Sequence, residues 1–136
     1  MTAPALAALP HIMAVQAALE AAGLTVYVGG APAAITLPKT YVVLYPDDGV
    51  ASAASLADDR TRLDLLVQLT CVSTTWEGAL GTADWARSAL CGPLTVPGRQ
   101  SWRPEELGGP PLQRDDDVTP PLYYLPVQYR LRSAPA

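Results

Sequence analysis

The clearest structural signal in the sequence lies between Arg60 and Ser73, which read RTRLDLLVQLTCVS. Apolar and mostly polar residues alternate through this stretch, as they do in a strand that is buried on one side. One side carries Leu63, Leu65, Val67, Leu69 and Cys71, and the other carries Arg62, Asp64, Leu66, Gln68 and Thr70. We therefore expect a long β-strand with one face in the core and a second face toward solvent or a neighbouring subunit.

A helix and two strands are predicted upstream of this strand. From Pro10 to Ala22 apolar residues recur at three- and four-residue spacing, and Gly23 supplies a left-handed C-terminal cap. Leu24–Val28 reads as a short strand, and Tyr41–Tyr45 (YVVLY) reads as a central strand that ends at Pro46.

A loop and a second helix flank the long strand. The stretch Asp47–Asp59 is small, polar and acidic at both ends, which is typical of a loop or a long hairpin tip. Thr74 and Glu77 form a capping box, which predicts a helix from there to about Leu90. Trp76 and Trp85 of this helix do not share a stripe, so we expect one in the core and the other at a partner contact.

The C-terminal part combines a proline-rich stretch with a final strand. Leu94–Val96 reads as a brief strand, and residues 97–121 read as an irregular, proline-rich loop. The last predicted strand, Leu122–Arg132, contains Pro126, which has no backbone donor. We therefore expect this strand at an edge of the sheet or with a bulge at the proline.

These elements predict a single α+β domain spanning residues 1–136. Its antiparallel sheet has four to five strands, and two helices pack on one side of it. A length of 136 residues with 49% hydrophobic content is enough for one hydrophobic core.

The charge balance excludes a protein that grips a phosphate backbone. The formal net charge is −4, and Lys39 is the only lysine. Tight DNA binding needs a basic surface, and this composition does not supply one. We therefore expect no tight DNA binding. No basic residue precedes Lys39 and polar residues interrupt the apolar N-terminal stretch, so we expect neither a signal peptide nor a membrane segment.

No catalytic machinery is visible in the sequence. His11 is the only histidine, and we expect it on the surface or half-buried in the first helix. Glycine-rich nucleotide loops and nucleophile motifs are absent from the sequence. We expect Cys71 and Cys91 to be small buried thiols, although their pairing in a disulfide stays open. We predict no enzyme activity and no cofactor.

Acidic runs are the remaining candidates for a site. They lie in predicted loops and lack the ligand spacing of a calcium loop, so we predict no metal. A solvated acidic face and a contact with a partner or with the lumen of a ring both remain open. The candidate interface or lumen residues are Asp47, Asp48, Asp58, Asp59, Arg60, Arg62, Asp115, Asp116 and Asp117.

The order of several segments carries a resemblance to a known family. YVVLYPDD and a small-residue loop precede RTRLDLLVQLTCVSTTWEGALGTADWARSAL, and LTVPGR, a DDDV segment and YYLPVQYRLR follow. Over nearly the whole chain this pattern resembles the tail terminator (tail completion) proteins of long-tailed bacteriophages.

The resemblance implies a structural protein of the virion. Its subunits would form a closed ring of six that caps the tail tube, ends its polymerisation and joins the head. The implied partners are the chain itself, the tail tube protein and a head connector or neck protein, while DNA passes through without specific binding. The implied location is the tail end at the neck, after assembly in the host cytoplasm. By position, Asp47–Asp59 and Arg99–Pro121 would make the contacts.

Two other readings stay open. Another neck component, such as a head-completion or adaptor protein, is the nearer one, although such proteins are more helical than this sequence predicts. A small ligand-sensing α/β module is the other, and it needs a pocket of convergent polar groups that the sequence does not supply.

Overall fold

A computed structural model describes residues 7–32, 38–53 and 61–136. Two helices and eight strands follow one another along these parts of the chain. In order they are α1 (Leu9–Ala21), β1 (Val26–Val28), β2 (Thr40–Pro46), β3 (Val50–Ser52), β4 (Arg62–Ser73), α2 (Trp76–Ala89), β5 (Arg99–Ser101), β6 (Glu105–Gly108), β7 (Gln113–Asp115) and β8 (Leu122–Pro135).

The sheet is built around the antiparallel pair β4 and β8. Leu63 to Ser73 of β4 lie opposite Ser133 to Tyr123 of β8. On the other side of β4 lie β2 and β3, and β1 lies outside β2. On the other side of β8 lie β5, β6 and β7 in succession. The two long strands therefore provide a frame along which the shorter strands pair.

The α+β class is confirmed, but the expected sheet was too small and too regular. Eight strands form one sheet instead of four to five, and it is mixed because β1 runs parallel to β2. The additional strands β3, β5, β6 and β7 have three or four residues each. Strands this short show little alternation, so their sequences carry almost no periodic signal.

Both helices pack on one face of the sheet, as predicted. The buried alternating side of β4 forms the centre of the core, and one stripe from each helix packs against it. The stripe of α1 consists of Ile12, Val15 and Leu19. The stripe of α2 consists of Ala83 and Ala86, and it continues in the C-cap residue Leu90. No described helix has the length and apolar character needed to span a bilayer.

The proline-rich stretch is more regular than predicted. Within residues 97–121 the strands β5, β6 and β7 all pair with β8, so β8 is an interior strand and not an edge. Pro126 lies between the part of β8 that pairs with β6 and the part that pairs with β7. Its carbonyl oxygen faces Gly109 on this outer side. The nitrogen of an extended residue points the same way as its carbonyl, so no donor is missing from the ladder with β4.

Three local predictions were wrong at the level of single residues. Leu94–Val96 is not a strand in the structure, and Val50–Ser52, expected in a loop, pairs with β4 as β3. The N-cap of α2 is Thr75, not Thr74, because the helix begins one residue later than the capping box implied. The Thr75 hydroxyl accepts the backbone N–H of Gly78 at 3.0 Å.

Candidate interaction surfaces

The second face of the sheet, away from the helices, has an aromatic half. Cross-strand pairing brings Tyr41 of β2 and Tyr124 of β8 to opposite sides of Val72 in β4. Tyr41 and Val72 are buried, and the Tyr27 ring meets the Tyr41 ring edge to face at 5.7 Å. Burial raises the pKa of Tyr41 above its ordinary value. This half is therefore well packed within the chain itself.

The other half of this face carries ion pairs. The Arg130 guanidinium lies 3.5 Å from the Asp64 carboxylate and 3.9 Å from that of Glu105. Arg132 reaches Glu105 at 3.2 Å. All four side chains are between 41% and 49% exposed, so water screens the pairs. They connect β4, β6 and β8 and leave a charged, accessible surface.

One corner of the charged half is formed around Trp102, which follows β5. The Trp102 side chain is 45% exposed, and the Arg62 guanidinium lies 5.8 Å from its ring centroid, within range of a cation–π contact. The Trp102 backbone N–H donates to the Arg132 carbonyl at 3.0 Å. A cleft of about 320 Å³ opens here, and Ser52, Arg62, Asp64, Trp102 and Arg132 are among its lining residues.

The arginines of this corner differ from most of the others in their pairing, although the buried Arg99 also bonds only to a hydroxyl and to backbone carbonyls. Among the described residues, neither Arg62 nor Arg103 lies within 4.0 Å of a carboxylate, and both are exposed. We call Arg62, Trp102 and Arg103 the Trp102 corner. Arginines that do have carboxylate partners are Arg87, Arg114, Arg130 and Arg132.

Of the first predicted acidic pair, Asp47 has a structural role. Its carboxylate accepts the Leu66 backbone N–H at 2.9 Å, and its own N–H donates to the Leu66 carbonyl at 3.0 Å. Asp47 therefore extends the pairing of β2 with β4 beyond the end of β2, while Asp48 is exposed. The predicted site residues Asp58, Asp59 and Arg60 lie outside the described residues.

The run Asp115–Asp117 forms an acidic turn at the end of β7, in which Asp116 and Asp117 are exposed. The Arg114 guanidinium lies 2.7 Å from the Asp116 carboxylate, and the Asp117 N–H donates to the Asp115 carboxylate at 3.0 Å. We call this segment the acidic turn. It lies near the start of β8, since β7 pairs with residues 122–124. The structure therefore keeps it apart from Arg62, so these two described parts of the predicted set do not belong to one site.

A buried polar network that sequence reasoning missed lies under the sheet. His11 is 1% exposed and Ser133 is 0% exposed, so the expectation of a surface or half-buried His11 was wrong. The Ser133 hydroxyl donates to the His11 Nε2 atom at 2.6 Å and accepts the Arg99 Nε–H at 3.1 Å. The other ring nitrogen donates to the Ala7 carbonyl at 2.9 Å.

The burial of this network decides what it does. A serine beside a histidine is also the start of a nucleophilic site, but Ser133 is 0% exposed even though it borders the cleft at Trp102. No sequence signal links His11 to Ser133, because the two lie on different elements. The network therefore serves to hold α1, β5 and β8 together.

Large apolar side chains are exposed on the helical side. Trp76 is 53% exposed and Trp85 is 50% exposed, so the expectation that one of them is a core residue was wrong. Alanines and a threonine supply the buried stripe of α2 instead. The Trp85 ring lies over Gly23, where an added Cβ would approach it to 3.3 Å. Trp76 and Leu80, one helical turn apart, form a second apolar patch.

The two cysteines are free thiols in different surroundings. Cys71 is buried in the core as predicted, and burial raises the pKa of its thiol to about 12. Cys91 is exposed, so the expectation that it is buried was wrong. In the described part of the chain, no three His, Cys, Asp or Glu side chains are grouped as a metal site.

Comparison with known proteins shows a likeness in fold but none in sequence. No protein-family model and no curated protein sequence matches this chain. The fold is similar to that of a chain in the solved structure of the virion of a native gene transfer agent particle. The TM-score is 0.64 at 17% sequence identity, over 90% of this chain and 92% of that chain. At this identity the likeness is one of fold.

Proposed function

We propose that the chain is a structural protein of a phage-like virion, where it forms a ring that caps the tail tube. In this role it ends polymerisation of the tube and provides the joint to the head. The observation that carries the proposal is the fold likeness to a chain of a gene transfer agent virion, which covers nine tenths of both chains. The tail-capping role rests on the resemblance of the sequence to tail terminator proteins.

The described surface supports a function in binding and not in catalysis. The one histidine is buried with its serine partner, and no catalytic role is proposed for any residue. Three tryptophans are about half exposed, namely Trp76, Trp85 and Trp102. Tryptophan is enriched in protein–protein interfaces, so side chains of this kind suit an assembly protein.

Simple geometry agrees with a ring through which DNA passes. A compact chain of this length has a diameter of about 36 Å. Six touching spheres of that size leave a hole of about 36 Å, which is wider than a DNA duplex, whereas three leave a hole of only about 6 Å. The net charge of −4 also suits a passage, since DNA slides more easily past walls that do not hold its phosphates.

The proposed partners follow from this position in the particle. The chain binds copies of itself in a ring of six, the tail tube protein on one side, and a head connector or neck protein on the other. DNA passes without specific binding, no cofactor takes part, and no membrane is involved. Assembly takes place in the cytoplasm of the host bacterium, and the product is the neck end of the tail.

Deletion of the gene from a phage that encodes the chain tests this role. We expect tails of irregular, extended length that are not joined to heads, and restoration of normal particles when the chain is supplied from a plasmid. Electron microscopy of lysates measures both. Tails of normal length without heads would instead indicate another neck component, and normal joined particles would contradict any role in the neck.

A further inference from the structure

The two ends of β8 carry surfaces of opposite charge character. The acidic turn lies beside residues 122–124 at the start of the strand. The Trp102 corner lies beside Arg132 near its end, where the Trp102 N–H donates to the Arg132 carbonyl. Tyr123 and Arg132 are nine residues apart in one strand, which corresponds to about 30 Å. This distance is most of the diameter of about 36 Å expected for the whole chain.

The two arginines of the Trp102 corner, Arg62 and Arg103, have no carboxylate partner among the described residues. Carboxylates do pair with most of the other described arginines. The Trp102 ring holds the Arg62 guanidinium at 5.8 Å and so limits its freedom. A partly ordered guanidinium loses less entropy when it binds a carboxylate. The cleft of about 320 Å³ beside it offers room for a short acidic segment.

The acidic turn has the complementary character. Asp116 and Asp117 are exposed, and of these two only Asp116 has an ion-pair partner in the described part of the chain, Arg114 at 2.7 Å. The hydrogen bond from the Asp117 N–H to the Asp115 carboxylate at 3.0 Å fixes the turn. From Arg114 to Asp117 the segment keeps a net charge of −2. It is therefore a preformed, exposed anionic segment.

We propose that the Trp102 corner of one copy binds the acidic turn of the next copy in the assembly. Nine residues of one extended strand, about 30 Å, separate the two ends in the folded chain, so one molecule does not bring its own two ends together. Two copies placed head to tail can do so. Such a contact uses two different surfaces and repeats from copy to copy, so it generates a ring when the rotation closes. The inference rests on the proposed ring and names the residues that join its subunits.

The surroundings of the corner favour an acidic protein segment over nucleic acid as its partner. Asp64 lies in the same cleft, and Glu105 and Glu106 lie on the adjacent strand. Such interleaved carboxylates repel a continuous phosphate backbone, but they leave room for two or three defined ion pairs. The experiment must therefore distinguish binding of an acidic protein segment at the corner from binding of DNA there.

Charge-reversal substitutions at the two ends of β8 test the contact between copies. One full-length variant carries Arg62→Glu and Arg103→Glu, a second carries Asp116→Arg and Asp117→Arg, and a third carries all four changes. Each is expressed with the tail tube protein, and capped tube ends are counted by electron microscopy. We expect each of the first two to lose capped ends at least tenfold, which corresponds to about 1.4 kcal/mol, and the third to recover most of them. Glu20→Arg, at an exposed position on α1, is the control and leaves capping unchanged.

Mixing gives a second readout that a folding defect cannot imitate. In a mixture of the two end variants every contact is compatible: the acidic turn of the first meets the unchanged corner of the second, and the Arg-bearing turn of the second meets the Glu-bearing corner of the first. We therefore expect the equimolar mixture to form closed rings of alternating copies, which neither variant forms alone. Rings formed by each end variant alone would overturn this inference and leave the proposed function standing. The absence of rings in the wild-type chain would overturn both. Loss of binding to a DNA duplex in the Arg62→Glu, Arg103→Glu variant, with rings intact, would assign the corner to nucleic acid and overturn the inference.

Discussion

The imidazole Nε2 atom of His11 lies 2.6 Å from the hydroxyl oxygen of Ser133, 122 positions later in the chain. The His11 Nδ1–H donates to the Ala7 carbonyl, so Nε2 of the neutral ring accepts the serine proton. The same hydroxyl accepts the Arg99 Nε–H, and the Arg99 guanidinium also donates to the Thr61 carbonyl at 2.7 Å. One hydroxyl thus connects α1, β5 and β8.

Ser133→Ala is expected to destabilise the fold by about 1–3 kcal/mol, because buried groups of His11 and Arg99 lose their common partner. Ser101→Ala is the matched control, since Ser101 pairs with Ser133 across the strands and its buried hydroxyl has no hydrogen-bond partner among residues 7–32, 38–53 and 61–136. We expect a change within about 0.5 kcal/mol for the control. Urea unfolding measures both, and equal losses would contradict the role given to the network.

The stability of the fold should fall as the pH decreases below about 6.5. Burial lowers the pKa of His11 from 6.5, and nearby Arg99 lowers it further, while the hydrogen bond to Ala7 opposes both. The unfolded chain therefore binds a proton at a higher pH than the folded chain, which favours unfolding as the pH falls from about 6.5 toward the lowered value. His11→Gln should unfold more easily at pH 7.5 but lose less stability down to pH 5.5. Parallel pH profiles of the two proteins would contradict this assignment.

Glu106 should hold the proline-rich segment to α2. The Arg87 guanidinium donates two hydrogen bonds to its carboxylate, at 2.8 Å and 2.9 Å. These hydrogen bonds lower the pKa of Glu106 from 4.5, so the contribution is present above about pH 4.5 and is lost as the pH falls further. Glu106→Gln should speed amide hydrogen exchange in β6 at pH 7.

Asp84→Asn is the control for this prediction, because Asp84 shares Arg87 through a single contact at 3.0 Å within the helix. We expect exchange in β6 to stay close to that of the wild type in this variant. If amide hydrogens of β6 exchange at the same rate in both variants, the pairing of Arg87 with Glu106 does not hold the proline-rich segment to α2.

Gly49→Ala should destabilise the turn between β2 and β3 more than Gly98→Ala destabilises the turn before β5. Both glycines have positive φ, +80° and +71°, so both substitutions carry a backbone cost of about 1–2 kcal/mol. Only at Gly49 would the new Cβ also approach Leu65 Cβ, to 2.8 Å. The melting temperature of Gly49→Ala should therefore be lower than that of Gly98→Ala. The reverse order would refute the steric argument.

The long elements could be predicted from the sequence because their own residues carry the signal. The alternation in Arg62–Ser73 and the helical spacing around Val15 and Leu19 arise from burial on one side, which is repeated over many residues. The short strands could not be predicted in this way. Arg99–Ser101 and Gln113–Asp115 are extended because β8 supplies unpaired backbone groups beside them, which is a tertiary cause.

The candidate surface was predictable only in part for a related reason. The exposure of Arg62 followed from its place in the alternation, but its contact with Trp102 depends on where β5 pairs with β8. Asp47 reads as a free acid in the sequence, yet it bonds to the Leu66 backbone. The burial of His11 likewise depends on a partner at the other end of the chain.

A cryo-EM reconstruction of the head–tail junction of a particle that contains this chain tests the central claim most directly. We expect a closed ring of copies of this fold at the head-proximal end of the tail tube, related by rotation about the tail axis, with six copies around an open channel. A single copy, an open filament of copies, or no density for this fold at the tube end would contradict the account.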